Sequence, residues 1–149
     1  MTLRIEYSTI HTFEYEGDVV MWDTAKGPPP TGDDIPSLVT HRMEGTWDVT
    51  EAQDIVKDRP VTDMMFPAEL DSLGKNVTID EEYAMAHSDL NEAIIAVVIH
   101  VGDSHDFFVI DGWHRIFKAR QLGVNQLPVH ILNEAESERV TLSWKVTPL

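Results

Sequence analysis

The chain contains no cysteine, which removes disulfides, thiolate metal sites and a thiol nucleophile from consideration. Basic residues are scarce. Lys and Arg number 11 against 26 Asp and Glu, for a formal charge of −15. General affinity for DNA or RNA is therefore not expected, because phosphate neutralisation by Lys and Arg supplies most non-specific binding. No apolar run reaches the ~20 residues a membrane-spanning helix needs. The opening Met1-Thr-Leu-Arg-Ile-Glu-Tyr7 also lacks the basic start and apolar core of a signal peptide. Both absences lead to the expectation of a cytoplasmic protein with no membrane partner. With 42% hydrophobic and 25% charged residues over 149 positions, the composition is that of a globular chain able to bury a core, so wholesale disorder is not expected.

The first 22 residues read as strands. Leu3, Ile5 and Tyr7 alternate with Arg4 and Glu6, and the runs His11–Tyr15 and Val19–Trp22 flank a Glu16-Gly17-Asp18 turn. Lys26-Gly-Pro-Pro-Pro-Thr-Gly-Asp-Asp-Ile-Pro36 is a loop, since consecutive prolines sustain neither a helix nor a central strand. A helix is expected over Thr46–Asp58 with Thr50-Glu-Ala-Gln53 as its capping box, and a second from Thr78-Ile-Asp-Glu81 to about Leu90. In the second, Tyr83 and His87 share a face. Between them, Val61–Pro67 is a short strand or turn on the core, and Ala68–Leu73 is one helical turn. Ala93–Val101 is a continuous β-branched run, the pattern of a strand covered on both faces. Phe107–Ile110 is its hairpin partner, Val129–Leu132 a further strand, and Arg139–Val146 a last edge strand. The expectation is one α+β (mixed α/β) domain over residues 1–149: a β extension over 1–25, a Pro/Gly loop over 26–36, and a core over 46–149.

The chemistry concentrates in Phe107–Gly123. Here an apolar strand breaks at Asp111-Gly112, and the spacing of Trp113, Ile116, Ala119 and Leu122 then becomes helical until Gly123. A helix start presents free N–H groups and the positive end of its dipole, which favour an anion. Arg115 placed there runs against helix electrostatics and points to a bound phosphate or carboxylate. The local charge permits this. Between Ile94 and Leu132, Asp103, Asp106 and Asp111 balance Arg115, Lys118 and Arg120, and four of the chain's seven histidines fall in the same segment. A second group, His100, Asp103, His105 and Asp106, has no metal-ligand spacing and reads as a solvated turn.

Val109-Ile-Asp-Gly-Trp-His-Arg115, the helix Ile116–Gly123 and the strand Leu127-Pro-Val-His-Ile131 together resemble the ParB/sulfiredoxin superfamily, across about a quarter of the chain. The resemblance implies a nucleotide-binding domain. Relatives include CTP-binding partition proteins, a nucleotide-dependent sulfinic acid reductase, free-serine kinases and nucleases. By position, the resemblance places Gly112, Trp113, His114 and Arg115 at the nucleotide, with Gly112 allowing close backbone approach and His114 and Arg115 binding phosphate oxygens. It offers Asp111, His114 and Arg115 as catalytic residues. Asp111 would cap the helix, orient His114 or hold Mg2+. Trp113 stands where sulfiredoxins carry cysteine, so thiol chemistry is excluded. Only about seventeen residues follow Leu132, too few for a helical DNA reader, so sequence-specific DNA binding is not expected.

Two functions follow from these residues. The first is a nucleotide-phosphate-binding domain, using ATP, ADP or CTP with Mg2+, in a phosphoryl-transfer or phosphodiester-hydrolysing reaction. The second is a non-catalytic acidic protein that keeps the fold and engages a basic protein partner by mimicking nucleic acid.

Overall fold

The computed structural model describes residues 2–15, 18–23, 39–67, 79–102 and 104–148. The loop expected over 26–36 and the helical turn expected over Ala68–Leu73 lie outside them. The fold is α+β, with two four-stranded sheets.

The first sheet is antiparallel, in the order β2-β1-β3-β8. It comprises β1 (Thr2–Tyr15), β2 (Asp18–Asp23), β3 (Val39–Asp48) and β8 (Thr141–Pro148). The expected hairpin of the first 22 residues is present. The C-terminal strand closes the same sheet from its other edge, so the two ends of the chain share one sheet. Strand β3 is a correction, because Thr46–Asp48 end a strand and do not begin a helix. Its pleat sends Met43, Gly45 and Trp47 inward. Gly45 is required there because the Trp47 ring lies over it. A Cβ at that position would stand 2.8 Å from Trp47 Cζ2.

The second sheet runs β4-β7-β5-β6, from β4 (Asp63–Met65), β7 (Leu127–Ile131), β5 (Ile94–Val101) and β6 (Ser104–Asp111). Strand β5 is central, antiparallel to β6 and parallel to β7. Its Ile94, Ile95, Ala96, Val97, Ile99 and Val101 are all buried, as the β-branched run requires of a strand covered on both faces. The two sheets share one core through an aromatic line. Trp47 lies 5.9 Å from Trp144 and 5.2 Å from Phe108, and Phe108 lies 6.4 Å from Trp113. Burying each large side chain of this kind contributes about 1.5–3 kcal/mol.

Four helices are found among the described residues: α1 (Val49–Val56), α2 (Glu81–His87), α3 (Trp113–Leu122) and α4 (Glu134–Val140). The capping assignments are corrected. Asp48 Oδ1 accepts from Glu51 N at 3.0 Å, and Asp80 Oδ1 accepts from Tyr83 N at 3.0 Å, while Thr50 lies inside α1 and Thr78 is outside the described residues. Aspartate is the stronger cap because its carboxylate also answers the helix dipole. Helix α2 ends at His87, short of Leu90. Helix α4, absent from the sequence reading, opens with a capping box between Asn133 and Glu136. It closes a gap in the sheet, because Ser137 Oγ accepts from Val98 N at 3.0 Å beyond the last β5–β7 pair. Among the described residues no helix is long and apolar enough to cross a membrane.

Candidate functional site

The strand β6 and helix α3 meet at Gly112, whose φ of +114° is left-handed. Glycine is required twice over at this point. An L-residue is strained at that φ, and a Cβ would lie 2.7 Å from Ile94 Cβ and 3.3 Å from Arg115 Nη1. The helix begins with Ile116 N donating to Gly112 O at 3.0 Å. No side chain caps it, in contrast to the starts of α1, α2 and α4. The N–H groups of the first turn therefore have no side-chain acceptor. Gly123, at φ +70°, ends the helix as expected, its N–H directed to Ala119 O and Arg120 O.

Each predicted residue has a defined place. Asp111 does not cap α3. Its Oδ2 accepts from Gln53 Nε2 at 3.0 Å and from Arg115 Nη2 at 3.5 Å, the latter at the long limit. Arg115 is held mainly by Ala93 O, 2.6 Å from Nη1. Trp113 is buried and its Nε1 donates to Val109 O at 2.9 Å, so its indole is part of the core. His114 Nε2 accepts from Asp80 N at 3.2 Å. Tyr83 lies edge-on to His114 at 5.9 Å and 5.0 Å from His87, so the shared face expected for Tyr83 and His87 is real and abuts the turn. The turn thus brings together Asp111, Gly112 and Arg115, while Trp113 faces the core and His114 faces α2.

A cleft of about 410 Å3 opens beside the turn, walled by Gln53, Lys57, Glu92, Asp111 and His130 over an apolar floor containing Val56 and Ile95. Strand pairing explains the grouping. Ile95 is the register partner of Asp111 on one side and of His130 on the other, so the three form one row across the sheet beneath α1. Sequence reasoning did not single out His130. The available signal was a lone histidine inside the apolar strand Leu127-Pro-Val-His-Ile131. Burial pushes its pKa below the ordinary 6.5, and the nearby Arg59 charge adds to that, against a smaller opposing pull from Asp63. The imidazole is therefore neutral at physiological pH.

A larger cleft of about 610 Å3 is lined by Trp47, Trp144, His100, Glu134, Ser137 and Glu138, among others. Most polar groups around it are committed. His100 Nε2 pairs with Glu134 Oε2 at 2.8 Å, and Trp144 Nε1 donates to His100 O at 3.0 Å. Of the second histidine group, His100 and His105 face each other across the hairpin with rings 6.1 Å apart, and Asp103 lies outside the described residues. No set of three His, Asp or Glu side chains among the described residues converges on a metal position.

Elsewhere, two ion pairs tie α1 and the turn after it to α4. Arg59 grips Glu136 with both guanidinium nitrogens, and Arg139 meets Glu51. The hydrogen bond with Arg59 holds the Glu136 carboxyl below its ordinary 4.5, and Arg59 is raised in turn. No known family model matches the chain, and no curated protein or solved structure matches it significantly.

Proposed function

We propose that the Asp111–Arg115 turn is the anion-binding end of a nucleotide-phosphate site of the ParB/sulfiredoxin type, with ATP, ADP or CTP as the ligand class. One observation carries the reading: α3 starts at a left-handed glycine with no side chain on its first-turn N–H groups. Such a start offers several N–H donors and the positive dipole end to one anion. Arg115 supports it, because its bond to Ala93 O anchors the guanidinium while the 3.5 Å contact to Asp111 is weak enough to exchange for a phosphate oxygen. Mg2+ in this reading arrives with the phosphates, since nucleotide-borne Mg2+ needs only one or two protein carboxylates, and Asp111 is the motif's carboxylate. Binding is the core of the proposal. A phosphoryl-transfer or hydrolytic step by Asp111, His114 and Arg115 is its extension.

Calorimetric titration with ATP, ADP and CTP in Mg2+ tests the reading. Saturable binding of at least one nucleotide, weakened ten-fold or more in Arg115→Gln, is the expected outcome. Heats indistinguishable from dilution for all three nucleotides sink it.

A specific observation favours a second reading, the non-catalytic acidic interaction protein. Arg115, Asp111 and His114 all make internal bonds, as they would in a turn kept for folding alone, and the charge of −15 suits a basic protein partner. Stoichiometric, salt-sensitive capture of a basic protein by a chain that ignores nucleotides would select this reading over the first.

A further inference from the structure

The cleft beneath α1 has a chemical character unlike that of the turn. Its charged walls are Lys57, Glu92 and Asp111, and Lys57 already pairs with Asp54 at 3.2 Å. The balance is acidic, which repels a phosphate. The cleft's free polar groups include two acceptors. Asp111 spends Oδ2 on Gln53 and Arg115, leaving Oδ1 without a hydrogen bond among the described residues. His130 is only 9% exposed and makes no hydrogen bond among the described residues, yet it lines the cleft. The register places Asp111 and His130 on either side of Ile95, hence about 10 Å apart at two strand spacings. Between them lies the apolar surface of Ile95 and Val56. An acceptor on each flank of an apolar floor, in about 410 Å3, fits a small ring that is apolar on its face and carries hydroxyl donors on its edge.

We propose that this cleft is a sugar subsite, in which His130 and the carboxylates of Asp111 and Glu92 accept hydrogen bonds from the hydroxyls of a ribose-type ring. The proposal rests on the nucleotide reading of the adjoining turn: phosphate meets the start of α3, and the uncharged sugar part enters the cleft. It adds His130, Glu92 and Gln53 as ligand-positioning residues, none of them in the Asp111–Arg115 turn. His130 stays neutral because burial disfavours its charged form, and a neutral imidazole has the acceptor nitrogen a hydroxyl needs.

The test uses the full-length chain, 15N-labelled, with three separate probes: adenosine, its dideoxy analogue and inorganic phosphate. Adenosine should shift the His130 ring nitrogens and the Gln53 side-chain amide. The dideoxy analogue should bind about ten-fold more weakly, the value of one or two lost hydrogen bonds. His130→Ala should lose a similar factor for adenosine, and His130→Asn, which keeps an acceptor, should recover part of it. Adenosine that leaves His130 and Gln53 unmoved overturns the sugar subsite, as does a dideoxy analogue that binds equally well. Phosphate acting on the Trp113–Arg115 amides reports on the turn alone, so failure of the cleft and failure of the turn are read from different signals. Because the shifts are measured on the unmutated chain, a variant that does not fold leaves the outcome decided.

Discussion

Helices α3 and α4 lie close together in the chain and begin in opposite ways. Helix α4 is closed by its own side chains. Asn133 Oδ1 accepts from Glu136 N at 2.8 Å, and Glu136 Oε1 accepts from Asn133 N at 3.1 Å. Helix α3 begins at a glycine with no capping side chain. A capped start has already met its donors and has little to offer an anion, whereas an uncapped one keeps them. The contrast matters because α1 and α2 are also capped, by Asp48 and Asp80. Among the described helices, α3 alone keeps its first turn unanswered by side chains, and it does so where the chain also places Arg115.

The largest change should come from Gly112→Ala. It forces a Cβ into Ile94 at a left-handed φ, so strain and overpacking together should cost about 3 kcal/mol or more, measured by chemical denaturation. A loss under about 1 kcal/mol would mean that the turn is not fixed as described. Asn133→Ala should be milder, about 1 kcal/mol, and should leave the proposed nucleotide binding untouched. Weaker nucleotide binding in that variant would erase the distinction between the two helix starts.

The pH dependence of stability separates the same two regions. His130, beside the α3 turn, has a depressed pKa, so its contribution is full above 6.5 and is lost as pH falls from there through its folded value. Glu136, at the start of α4, is depressed from 4.5, so its contribution is present above that and is lost as pH falls further. Denaturation midpoints of His130→Gln should lack the decline that begins near 6.5 and retain the one that begins near 4.5. The smallest effect should be that of Arg59→Lys. It keeps the charge but loses the two-pronged grip on Glu136, at about 0.5–1 kcal/mol for a partly exposed pair.

Much of the α3 region was legible in the sequence because its signals are local. The β-branched run of β5, the Asp111-Gly112 break, the spacing of Trp113, Ile116 and Ala119, and Gly123 each act within a few residues. Leu122, expected on the same apolar stripe, is 56% exposed. Strand β3 was missed although Met43, Gly45 and Trp47 alternate inward. A glycine contributes no hydrophobic signal, and only the fold brings Trp47 over it. Helix α4 carried its cue, Asn133 and Glu136 at capping-box spacing, inside an acidic stretch that masked it. The cleft was illegible for a different reason. Asp111, Ile95 and His130 become neighbours through strand register, which depends on a parallel pairing between β5 and β7 that no local pattern specifies.

The central claim is that the start of α3 is kept open for an anion while the start of α4 is closed. Titrating the 15N-labelled chain with ADP at constant ionic strength, while following backbone amides, tests it most directly. The amides of Trp113, His114 and Arg115 should shift and saturate together, while those of Ala135, Glu136 and Ser137 stay still. Motionless α3 amides at saturating ADP, or equal shifts at both helices, would contradict it.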